Sequence, residues 1–188
     1  MKALSDWFSE GLSKEEYISG MKINRENLLF IYNSFEMGAE QLSFLRGLQK
    51  QELKALVLTA DWCGDAMVNL PIFMRVANEA LIEAKYFIRD ENLELMDRYL
   101  TNGKSRSIPI IVFMDRDGNE IASWGPRSAL AEEIVGQLKE TLPSKEAPGY
   151  EAAFKEIIPK LTDQFKTNLS LWEDISLSIE QRLKKLIE

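Results

Sequence analysis

Cys63 is the only cysteine of the 188-residue chain, and there is no histidine at all. These two facts exclude most nucleophilic and metal chemistry. A Ser-His-Asp triad, a Cys-His dyad, an HExxH site and any His-ligated zinc are all impossible. One thiol also rules out an intrachain disulfide and a cysteine-rich metal knuckle. What chemistry remains must run on Cys63, on carboxylates or on backbone groups. The sulfur sits in the run Ala60-Asp61-Trp62-Cys63-Gly64-Asp65-Ala66, between an apolar stretch and a helical stripe. A thiol at a helix N-terminus meets unpaired amides and the positive dipole end, both of which favour the thiolate. Asp61 and Asp65 oppose this, since a nearby negative charge disfavours a second one. The balance is a partly activated thiol, although most lone cysteines are inert buried fillers.

Those residues need elements to hold them. Leu53–Thr59 (LKALVLT) is nearly all apolar, as in a strand covered on both faces. Met67, Leu70, Phe73, Met74, Ala77 and Leu81 then form a helical stripe, in which Pro71 predicts a kink. Lys85–Arg89 reads as a second strand and Asn92–Leu100 as a helix. Ile110–Met114 reads as a third strand. Asp117-Gly118 predicts a hairpin turn into a fourth strand, Glu120–Trp124. Ser128 caps a helix running to about Leu142. The order β-α-β-α-β-β-α implies parallel crossovers among the early strands and an antiparallel closing edge.

Flanking this middle zone, residues 1–50 read as helical. They include a capping box at Ser13 and Glu16, a stripe over Leu28–Phe35, and a break at Met37-Gly38. After a Pro- and Lys-containing linker, residues 144–188 read as one helical tail. Its stripe includes Phe154, Ile157, Ile158, Leu161, Phe165, Leu169, Trp172, Ile175, Ile179, Leu183 and Leu186. The expected organisation is therefore a helical extension (1–50), a core (51–143) and a second helical extension (144–188), together one compact domain.

Charge and hydropathy narrow the partners. The chain carries 23 Lys+Arg against 30 Asp+Glu, a net −7 that argues against nucleic acid. Five of those seven negative charges fall within residues 51–143. The longest apolar run, Ile108–Met114, is far short of a membrane span. The opening MKALSDWFSEGL carries Asp6 and Glu10 where a signal peptide is apolar. With one cysteine, the expected location is the reducing cytoplasm.

The strand order, together with Trp62-Cys63-Gly64 at a strand-to-helix junction, resembles the thioredoxin family. Pro71 matches that family's helix-kinking proline, Ile108-Pro109 its cis-proline, and Trp124-Gly125 the glycine that lines its substrate groove. The match covers roughly residues 51–143. The Trp-Cys-Gly-Asp motif, with RDENLELMDRYLTNGKSRSIP and WGPR, resembles a bacterial subgroup. The implied fold is α/β, a central mixed sheet with flanking helices. The implied nucleophile is Cys63, and the Trp-Cys-Gly placement implies that its thiol is exposed and reactive. Trp62, Gly64, Ile108, Pro109, Trp124 and Gly125 would border the groove, with the Ile108 N–H and C=O free to pair with an extended substrate. Arg127 would be available to a substrate carboxylate, and Arg89 reads as an ion-pair partner. The family's resolving cysteine position is Ala66, and its buried acid aligns with Val57. Cys63 would therefore start an exchange with a protein disulfide or a low-molecular-weight thiol that an external thiol must finish. The competing reading is a binding module without turnover. Cys63-Gly64-Asp65-Ala66 also superficially resembles the cluster-binding motif of monothiol glutaredoxins, but one thiolate is too few, so no cofactor and no metal are expected. Oligomeric state is not legible from the sequence.

Overall fold

The computed structural model describes residues 2–185. Four strands, β1 (Lys54–Thr59), β2 (Glu83–Ile88), β3 (Ile110–Met114) and β4 (Glu120–Trp124), form one mixed sheet in the order β2-β1-β3-β4. Every residue of β1 after Lys54, and every residue of β3, is buried. Consecutive side chains of a strand point to opposite faces, so both faces of the sheet centre are covered.

β1 and β2 pair in parallel through α5 (Gly64–Ala80), as a helical crossover requires. The expected second parallel crossover does not form: β3 runs antiparallel to β1. The segment before it holds a short 3-10 turn at Arg89–Glu91 and only one turn of helix, α6 (Leu93–Met96), rather than a helix over Asn92–Leu100. The amides of Arg98 and Tyr99 bond back only three residues, ending the helix there. Their side chains are engaged elsewhere: Arg98 donates to the Lys2 carbonyl and Tyr99 to Glu120. The chain thus re-enters the sheet from the other end. The β3–β4 hairpin is tied by Asp115, whose carboxylate accepts from the amides of Asp117 and Asn119, and Gly118 takes a left-handed φ of 88°.

The helices before the sheet are α1 (Leu4–Phe8), α2 (Lys14–Gly20), α3 (Arg25–Ser34) and α4 (Ala39–Gly47). The Ser13–Glu16 capping box opens α2. Tyr17 from α2 stacks on Tyr86 of β2 at 5.2 Å and hydrogen-bonds Thr59 at the end of β1. Leu28 and Ile31 of α3 are fully buried, and this helix packs on α5. α5 continues through Pro71, which is itself buried within it.

After the sheet come α7 (Ala129–Glu140), capped by the Ser128 hydroxyl, then α8 (Tyr150–Thr167) and α9 (Leu169–Lys184). The tail is thus two helices rather than one. Asn168 leaves helical geometry, at φ −83° and ψ 95°, and its side chain accepts from the Leu171 amide to start α9. α9 buries Leu171, Trp172, Ile175, Ile179 and Leu183 against α5, α7 and β4. Leu186 lies outside the described residues. No described helix is long and apolar enough to cross a membrane.

Candidate functional site

Cys63 is the N-cap of α5. Its Sγ accepts from the Ala66 amide at 3.5 Å, one of the donors a helix start leaves unpaired. The same thiol donates to the Ile108 carbonyl at 3.4 Å. That carbonyl thus already accepts from the thiol, at one of its two acceptor positions. The loop before it is held from the N-terminal side. The Asp61 carboxylate accepts from the amides of Lys22 and Ile23 at 2.8 and 3.1 Å, and Asn24 donates to the Asp61 carbonyl. Asp61 therefore fastens residues 22–24 to the loop, and the carboxylate that raises the thiol is that of Asp65.

The expected exposed, partly activated thiol is not what the fold produces. Cys63 is only 8% exposed. Burial pushes its thiol up to about 11, and the negative charge of Asp65 pushes in the same direction. The Ala66 and Asp65 amides and the Arg127 guanidinium pull the other way and do not prevail. Desolvation removes more from the thiolate than one cap position returns, because the dipole effect is modest and local.

Arg127 is likewise committed. It grips Asp65 through two nitrogens at 2.8 and 2.7 Å and reaches Glu132 at 2.8 Å. Those carboxylates take three of its five N–H donors. Trp124 is largely buried, and its indole N–H donates to Ser178 of α9 at 2.9 Å; with Gly125 and Ile110 it lines a separate open groove of about 880 Å³. Trp62 is the exposed aromatic, 47% accessible, with the Arg89 guanidinium 4.7 Å from the ring centre. Arg89 also pairs with Asp90.

Pro109 and Gly125 do meet. The Ile108–Pro109 and Gly125–Pro126 peptides are both cis, and Gly125 adopts φ 126°. A Cβ there would stand 2.2 Å from the Pro109 carbonyl oxygen, so only glycine fits. Asn69, buried in α5, fixes this turn by donating to the Pro126 carbonyl.

Sequence reasoning missed Asn69, Ser178 and Phe165. Phe165 of α8 lies 3.9 Å from where a Gly64 Cβ would project, so the tail roofs the start of α5. Its place in the tail's apolar stripe was the one available signal, and a stripe does not say which surface it covers. Beside this roof a groove of about 860 Å³ opens, bordered by Trp62, Gly64, Arg127, α7 and α8. Among the described residues no cluster of three or more His, Cys, Asp or Glu side chains could hold a metal.

The mixed sheet, the helix springing from a Trp-Cys-Gly junction and the paired Pro109 and Gly125 define an α/β protein of thioredoxin-like fold. The thioredoxin family profile matches residues 11–142, and the chain belongs to that family. Its fold is shared by the crystal structure of a Pseudomonas aeruginosa protein of unknown function, with a TM-score of 0.65, 16% identity, and coverage of 96% of this chain and 99% of that one. An HIV epitope-scaffold crystal structure has a TM-score of 0.66 at 14% identity, with the same coverage. No curated protein matches the sequence.

Proposed function

We propose that the chain is a thiol–disulfide exchange protein of single-thiol type, acting on protein disulfides or on mixed disulfides of low-molecular-weight thiols. The observation that carries this reading is the seat of the sulfur: Sγ of Cys63 caps α5, with the Ala66 amide aimed at it and the Ile108-Pro109 turn beside it. In the first step the Cys63 thiolate attacks one sulfur of R–S–S–R′. A Cys63–S–S–R bond forms and R′–S⁻ leaves, taking up the proton that Cys63 has lost. The position three residues on is Ala66, so no internal thiol can attack the adduct. A thiolate R″–S⁻ from solution does so instead, releasing R–S–S–R″ and restoring the Cys63 thiolate. The Ala66 amide stabilises that thiolate each time it forms. In this reading residues 51–143 carry the chemistry, while residues 1–50 and 144–188 enclose it. A reducing cytoplasm would supply the external thiol.

Incubation with glutathione disulfide followed by intact mass measurement tests the reading. It requires one adduct that dithiothreitol removes and that Cys63→Ser abolishes; absence of any adduct after prolonged incubation at pH 9 rejects it. The burial that pushes the thiol up to about 11 favours a second reading, a binding module that captures partners without covalent chemistry. Partners retained by Cys63→Ser under reducing conditions would favour that module, and partners recovered only as reducible adducts would reject it.

A further inference from the structure

We infer that the groove between α7 and α8 binds a small molecule built from one long aliphatic chain and an anionic head. The apolar side chains on this surface are unusually open: Ile23, Trp62, Phe154 and Ile158, all at least a third exposed, converge on one groove with Val135 and Leu138. Contiguous exposed apolar surface of this kind marks a binding site, whereas single exposed hydrophobics do not. Its volume of about 860 Å³ lies in the range of small-molecule sites.

The shape and the charges specify the occupant. The groove runs from Arg127 to the C-terminal end of α7, at Val135, Leu138 and Lys139, and faces Phe154, Ile158 and Leu161 of α8. The two long facing walls, α7 and α8, are helices whose interior backbone groups are already paired within themselves. They offer no strand edge to an extended peptide, which binds largely through main-chain hydrogen bonds. Four charged residues border the groove: Asp65, Arg127, Lys139 and Lys145. Arg127 is shared between Asp65 and Glu132, so that end of the groove carries no free positive charge. Lys139 and Lys145 form no ion pair among the described residues, so the far end of the groove is cationic on a chain of net charge −7. An apolar channel with a positive mouth complements an aliphatic chain ending in a carboxylate or phosphate. This site goes beyond the exchange reading and does not depend on it, because none of its contacts requires the Cys63 sulfur.

Calorimetric titration of the full chain with dodecanoate, below its micelle concentration, and with dodecyltrimethylammonium tests this. Dodecanoate is expected to bind about tenfold more tightly, the preference two partly exposed cations can supply. Exchanging both cations in a Lys139→Glu, Lys145→Glu variant should abolish or invert that preference. Ile158→Glu, at an exposed wall position that folding does not need, should weaken dodecanoate at least tenfold, and Cys63→Ser should leave it unchanged. No binding of dodecanoate, equal binding of the two amphiphiles, or a preference that survives the double charge reversal would overturn the inference. Loss of dodecanoate binding in Cys63→Ser would overturn the groove's independence from the thiol.

Discussion

Replacing Asp65 by Asn should make the Cys63 thiol faster, and the size of the effect follows from the site. A thiol pushed up to about 11 is ionised in about one molecule in ten thousand at pH 7. An ordinary cysteine, at about 8.5, is ionised in about three in a hundred, so the thiolate is depleted roughly 300-fold. A more basic thiolate is a better nucleophile, with a Brønsted slope of about 0.4–0.5, which returns about a factor of ten. Wild type should therefore react with iodoacetamide at pH 7 about 30-fold more slowly than free cysteine, before any steric cover is counted. In Asp65→Asn a negative charge beside the sulfur is lost, which favours the thiolate. Arg127 also loses its principal partner, and its freed charge acts in the same direction. A fall of about one pH unit in the midpoint would raise the pH 7 rate about threefold once the lower nucleophilicity is included. The assay is alkylation rate against pH from 6 to 11.5, followed by intact mass, with circular dichroism confirming the fold at each pH. A wild-type midpoint at or below 8.5, or an Asp65→Asn midpoint equal to or above wild type, would refute the electrostatic account.

Two further outcomes are expected. Gly125→Ala should destabilise the protein by about 3 kcal/mol or more in thermal or denaturant unfolding, because its Cβ would overlap the Pro109 carbonyl and its φ of 126° is closed to other residues; a loss under about 1 kcal/mol would show that the turn relaxes freely. Stability should also fall as pH rises from about 9 to about 11. Burying Cys63 favours its neutral form, so that contribution is complete below the ordinary thiol range and is lost as pH passes through the raised value. Cys63→Ala should flatten this part of a pH-dependent urea titration, and an unchanged alkaline limb would contradict it.

Particular elements show how far the sequence carries. β1 and β3 were legible because continuous apolar runs have few alternatives in a buried sheet, and the Ser13 and Ser128 caps because a capping hydroxyl acts within three residues. Local signals failed where the partner was distant. The helix over Asn92–Leu100 stops where Arg98 and Tyr99 reach Lys2 and Glu120, contacts no window around residue 95 contains. The break at Asn168 lay inside an unbroken apolar stripe. An asparagine in such a stripe reads as a solvated helix residue until the fold requires α9 to turn onto β4.

At the site the division is sharper. Sequence alone determined that there is one thiol, that it caps a helix, that no second thiol follows three residues later, and that no histidine can assist it. These are matters of residue identity and short spacing. Only the tertiary structure decided how that thiol behaves. Phe165 over Gly64, the Ile108 carbonyl at the sulfur, Asp65 clasped by Arg127 and Trp124 covered by α9 all join residues far apart in the chain. A thiol's ionisation is set by solvent access and by the charges within a few ångströms of it, and both depend on which distant segments pack there. The N-terminal cap is local and pulls toward the thiolate. The burial that outweighs it comes from the whole fold.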